Sequence, residues 1–134
     1  MSESLSATRY LTEDEIIEVN ERVLKEIRVR KADSHRVASR GRIEDLLRKV
    51  ELEEGDAYWK AAVLLSELTK AHAFDSGNRR TAYATAKLFL EANGKELDIK
   101  VDPKVLTGIR EGFYQTKEVA EWLKGNGIRA FVRP

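Results

Sequence analysis

Apolar positions recur every three to four residues along most of the chain, which reads as a succession of amphipathic helices. From Thr12 the pattern predicts a helix to about Ile27, with Ile16, Ile17, Val19, Val23, Leu24 and Ile27 as its apolar stripe. Thr12 and Glu15 have the spacing of a capping box, and Glu13 and Asp14 suit the positive end of a helix. A helical pattern resumes from Ile43 through Val50, with Leu46 and Leu47 inward, and stops near Glu54-Gly55. Asp56 caps the next helix, which runs to about Ala71 with Tyr58, Ala61, Ala62, Leu65 and Leu68 facing the core. Ala82, Ala86, Phe89, Leu90 and Asn93 mark one face of a fourth helix, and Asn93-Gly94 ends it because both residues tolerate positive φ.

Beyond Gly94, Leu97, Ile99 and Val101 alternate weakly, as in a short extended piece near 96–101. Asp102-Pro103 opens another helix, with proline at its first position, carrying Val105, Ile109 and Phe113. Thr116 begins a last helix, stopped at Gly125-Asn126-Gly127, and the tail from Ile128 to Pro134 either packs on the body or extends as an edge. The expected fold class is all-α: a compact single-domain helical bundle over residues 11–134, behind a frayed, serine-rich segment at 1–10.

Composition narrows the setting. A chain of 134 residues is one domain, able to bury roughly two-thirds of its unfolded surface. Charged residues make up 35% and the net charge is only +1, which argues against bulk electrostatic binding of nucleic acid. With no cysteine, there is neither a disulfide nor a thiolate metal site. The chain has no apolar run of the roughly 18 residues that a membrane helix needs, and no signal-peptide pattern at its start. A cytoplasmic protein that does not touch a membrane is the expectation.

Two stretches break the helical rhythm. Residues 28–42 are basic, with Arg28, Arg30, Lys31, Arg36, Arg40 and Arg42 set against the lone acid Asp33. A connection this long in a small domain is either a solvated loop or a functional one. His35 lies within it and reads as an exposed loop histidine. The second stretch is His72-Ala-Phe74-Asp75-Ser76-Gly77-Asn78-Arg79-Arg80, at the start of the fourth helix. Asp75, Ser76 and Asn78 can satisfy first-turn amides, and Gly77 lets the backbone bend close to a ligand. Arg79 and Arg80 are placed against the positive helix end, at a cost of about 0.3–1 kcal/mol each unless an anion is shared. His72 can carry a proton near neutral pH. Taken singly, each has a structural role open to it: His72 as a helix C-cap, Asp75 and Ser76 as N-caps, Phe74 as core, the arginines as partners of surface acids. Such roles leave their convergence on one turn unexplained, and a nucleotide-phosphate site accounts for it.

The same residues resemble the signature of the Fic/Doc family, His-x-Phe-x-Asp/Glu-Gly/Ala-Asn-x-Arg, and Thr81-Ala82 with Leu88-Phe89-Leu90-Glu91-Ala92-Asn93-Gly94 is similar to its Doc branch. The resemblance implies a helical fold and transfer of part of ATP to a protein hydroxyl. His72 corresponds to the general base, Asn78 to a phosphate-positioning residue with Gly77 beside it, and Arg80 to the arginine that contacts phosphate oxygens. Ser76 stands where the family carries a metal-binding acid, and Asp75 lies one residue early, so Mg²⁺ would rest on Asp75 or Ser76. Arg79 replaces the glycine of AMP-transferring members, and Tyr83 replaces their second arginine. Both differences point to the Doc arrangement, in which the terminal phosphoryl of ATP passes to a threonine of a translation elongation factor. The implied partners are that factor and a small antitoxin with a disordered tail, with residues 28–42 resembling a flap that docks the target. The alternatives are a nucleotidyltransferase of the wider family and, because of Ser76, a non-catalytic binding module. No autoinhibitory helix motif is visible, so restraint would come from another chain.

Overall fold

The computed structural model describes residues 7–27, 39–97 and 99–133. Six helices form in the described residues: α1 (Glu13–Ile27), α2 (Arg40–Leu52), α3 (Ala57–Ala71), α4 (Asn78–Ala92), α5 (Pro103–Arg110) and α6 (Thr116–Leu123). The all-α expectation holds. Of the segment 1–10 expected to be frayed, residues 1–6 lie outside the described residues, as do His35, most of the basic loop (28–38), Asp98 and Pro134, while Arg9 is bound to Asn93 and Tyr10 lies 6.2 Å from the Phe89 ring.

α3 is the central helix and packs against α2, α4, α5 and α6, while α1 lies on α4 and α2. Its role follows from its sequence. Lys60-Ala61-Ala62-Val63-Leu64-Leu65 is buried without interruption, and so are Leu68 and Thr69, so the helix is enclosed on nearly every side. The charge on Lys60 is accommodated by the end of α2: its ammonium donates to the carbonyls of Val50 and Glu51, at 3.2 and 3.3 Å, and to that of Glu53. A cation there answers the negative end of the α2 dipole.

Local chemistry sets the helix ends. The Thr12–Glu15 capping box forms, with the Thr12 amide donating to Glu15 Oε1 at 2.9 Å and the Glu15 amide to Thr12 Oγ1 at 3.2 Å. Asp56 caps α3 through the Trp59 amide, and Asp102 caps α5 ahead of Pro103. α2 begins three residues earlier than its apolar pattern suggests, because Ser39 accepts from the Arg42 amide. α4 ends in a Schellman motif in which Gly94 alone takes positive φ (+73°), while Asn93 binds the Phe89 carbonyl and both backbone groups of Arg9. α6 starts from Gln115, in a capping box with Glu118.

The piece near 96–101 runs as an irregular connection rather than a strand in its described residues. Two tyrosines pin it: Tyr58 donates to the Glu96 carbonyl (3.2 Å) and Tyr83 to the Ile99 carbonyl (3.0 Å). The tail packs on the body. Phe131 meets Phe113 edge-on, Arg129 lies 4.0 Å over the Phe113 ring, and the Arg129 guanidinium binds Glu118.

Candidate active site

Residues 72–80 form the link between α3 and α4, held from three directions. His72, the C-cap of α3, has φ +49° and ψ +46°, the one non-glycine residue with positive φ among the described residues. That conformation costs an L-residue roughly 1–2 kcal/mol and is the usual place of a glycine. Ala73 and Phe74 then turn fully into the core. Asn78 staples the loop to itself, its Oδ1 accepting from the Phe74 amide (3.1 Å) and its Nδ2 donating to the Phe74 carbonyl (2.8 Å). From α1, the buried Asn20 donates to the Ser76 carbonyl (2.9 Å) and to Thr81 Oγ1 (3.0 Å).

Gly77 caps α4 with φ +75°, and a Cβ there would meet Leu24 Cδ2 at 3.1 Å. Its missing side chain therefore serves the approach of α1. The first turn of α4 carries Asn78, Arg79 and Arg80 and no acid, and these residues precede the first helical bond, from the Thr81 amide to the Gly77 carbonyl. Arg79 is tethered across to α5 by a 2.7 Å bond to Thr107 Oγ1. Tyr83 is bound to Ile99 and packed beside Trp122, and burial pushes its phenol up, so it stays neutral.

His72, Asp75, Arg79 and Arg80 are exposed, and Ser76, Gly77 and Asn78 half-buried. All are brought to one loop and turn, as expected, but they do not open into one cavity. His72 lines a groove of about 560 Å³ between α2 and α3 with Arg42, Asp45, Lys49, Glu67 and Lys70. Arg80 lines two smaller hollows that share no residue with that groove, about 160 Å³ with Val23, Glu26 and Tyr83, and about 190 Å³ with Arg79, Val101, Pro103 and Leu106. Among the described residues no three of His, Cys, Asp and Glu cluster as a metal cage. Asp75 is the carboxylate nearest the turn in sequence, with the Ser76 hydroxyl beside it, and one carboxylate suits Mg²⁺, which keeps waters and takes most other ligands from phosphates.

Asn20 and Thr107 escaped the sequence reading, which took Arg42 only as part of the basic stretch and Thr81 only as part of the Doc-like run. Asn20 did have a signal, as a polar residue inside the apolar stripe of Ile16, Val19 and Val23. Thr107 and Arg42 reach the loop through tertiary packing, the latter by a 2.8 Å bond to the Ala71 carbonyl.

The site as assembled is an exposed histidine at the end of one helix, followed by a glycine-capped, arginine-bearing start of the next. The model of the Fic/DOC family matches residues 10–90, and the chain belongs to that family. It is 51% identical over 53 residues to the protein named Toxin Doc of Mycolicibacterium smegmatis, a match covering 35% of this chain and 41% of that protein. No helix among the described residues is long and apolar enough to cross a membrane.

Proposed function

We propose that the protein is a Doc-type toxin that moves the γ-phosphoryl of ATP to a threonine hydroxyl of a translation elongation factor, restrained by a small antitoxin. The observation that carries this reading is the exposed His72 held in a left-handed backbone at the end of α3, joined by a stapled loop to an acid-free helix start bearing Arg79 and Arg80. A costly backbone conformation at an exposed ionisable residue is typical of a chemical role.

In this reading His72 takes the proton of the acceptor hydroxyl. The hydroxyl oxygen bonds to the γ-phosphorus as the bond from phosphorus to the bridging oxygen breaks, and ADP leaves. Arg80, with Arg79 beside it, carries the charge on the phosphate oxygens through charge-assisted bonds. Asn78 keeps the loop shaped around the phosphates, with Gly77 at its bend. Asp75 or Ser76, together with ATP, would hold Mg²⁺, which would neutralise phosphate charge. The structural duty of Tyr83 supports phosphoryl over nucleotidyl transfer, since the arginine of AMP-transferring members would sit at that position.

The test is transfer to elongation factor Tu with Mg²⁺ and ATP labelled separately at the α- and γ-phosphates, beside His72→Ala and Arg80→Ala. Label from the γ position alone, lost in both variants, is expected. Label from the α position would make the protein a nucleotidyltransferase. Absence of label from either, with ATP still bound, would leave a binding module in which Ser76 has replaced the family's acid.

A further inference from the structure

We infer that the groove between α2 and α3 beside His72 receives an acidic segment of the protein substrate, next to the acceptor hydroxyl; the inference rests on the transfer reading above. The groove and the two hollows that Arg80 lines have no residue in common. In phosphoryl transfer the attacking and leaving oxygens lie roughly in line through phosphorus. His72 lines the groove and neither of the hollows that Arg80 lines, so an acceptor hydroxyl within reach of its imidazole stands at the end of the groove.

Charge decides what the groove attracts. Its two acids are already matched: Glu67 with Lys49 at 3.1 Å, and Asp45 with Arg48 at 3.3 Å. Its remaining cations are not matched by any acid among the described residues. Arg42 binds only the uncharged Ala71 carbonyl, and Lys70 is exposed at the last turn of α3 without an ion pair. The Arg42 guanidinium is thus held in place beforehand, which lowers the entropy lost when a carboxylate arrives. A volume of about 560 Å³ open along two helix faces accommodates several side chains of an extended segment.

The test uses the full chain and two fluorescein-labelled peptides with a central threonine, one flanked by glutamates and one by lysines, read by anisotropy. The glutamate peptide is expected to bind about 5- to 10-fold more tightly, the gain of one or two exposed ion pairs. Added salt weakens the preference, Lys70→Glu abolishes it and Lys70→Arg keeps it. Equal binding, no binding of either peptide, a preference surviving Lys70→Glu, or displacement of the glutamate peptide by ATP would each overturn the site. Binding needs no turnover, so a missing label counts against the transfer reading, and a missing charge preference counts against this groove.

Discussion

The side-chain amide of Asn20 donates to the backbone carbonyl of Ser76 at 2.9 Å, tying the middle of α1 to the centre of the candidate active loop 56 residues away. The same amide reaches Thr81 Oγ1, so one buried side chain secures both the loop and the first turn of α4. Removing it takes a donor from the buried Thr81 hydroxyl and from the part-buried Ser76 carbonyl, the expensive half of losing a hydrogen bond.

Asn20→Ala is therefore expected to lower stability by about 2–3 kcal/mol. Asn20→Asp should behave similarly, because a carboxylate keeps the shape and loses the donor. Urea denaturation of both variants measures the loss, and label transfer in buffer should fall with it. A melt unchanged in Asn20→Asp would show that the two bonds contribute nothing net.

His72→Gly should separate folding from chemistry. Glycine adopts the φ of +49° without a Cβ clash, so stability is expected to stay level or rise by up to about 1 kcal/mol, despite the extra freedom of the unfolded chain. Transfer should be abolished in the same variant. A destabilised His72→Gly would mean that the imidazole holds the end of α3.

Gly77→Ala is expected to cost about 1–2 kcal/mol, since it places a Cβ at φ +75° and 3.1 Å from Leu24 Cδ2. Shortening the neighbour by Leu24→Ala in the Gly77→Ala background should recover the steric part and leave the backbone part. Denaturation of the two singles and the double separates them, because sites in contact are not additive.

Stability should also depend on acid through α6. The Arg129 guanidinium, followed by the Gln115 backbone amide, holds the Glu118 carboxyl below its usual value of 4.5. A depressed carboxylate stabilises the fold above its unfolded value and loses that contribution as pH falls through the folded one. Thermal melts should thus decline below about pH 4.5 by a limb that Glu118→Gln flattens. At the other extreme, Glu121 raises the Lys124 ammonium above 10.5, so that contribution is present below pH 10.5 and fades only at higher pH.

Much of this was legible in one dimension. The capping box at Thr12, the caps Asp56 and Asp102 and the glycine stop at Gly94 are local devices, whose partners sit within a few residues, so spacing alone identifies them. The start of α2 was missed because Ser39 caps ahead of the first apolar residue, outside any periodicity. Lys60 defeated the pattern as well, as a lysine enclosed with the core that only the end of α2 makes tolerable.

By itself the sequence determined that the chain is helical, where four of its caps lie, and that His72, Gly77, Asn78, Arg79 and Arg80 share one turn. These follow from rules that act over three or four neighbours. Only the tertiary structure decided which side of that turn each residue serves. It turned His72 toward α2 and α3 and Arg80 toward α1 and the connection before α5, and it bound Asn78 to Phe74. It also spent the glycine of the turn on the approach of Leu24. The reason is that such choices depend on how helices distant in sequence pack, and the hydrophobic burial that drives this packing carries no direction until side chains meet.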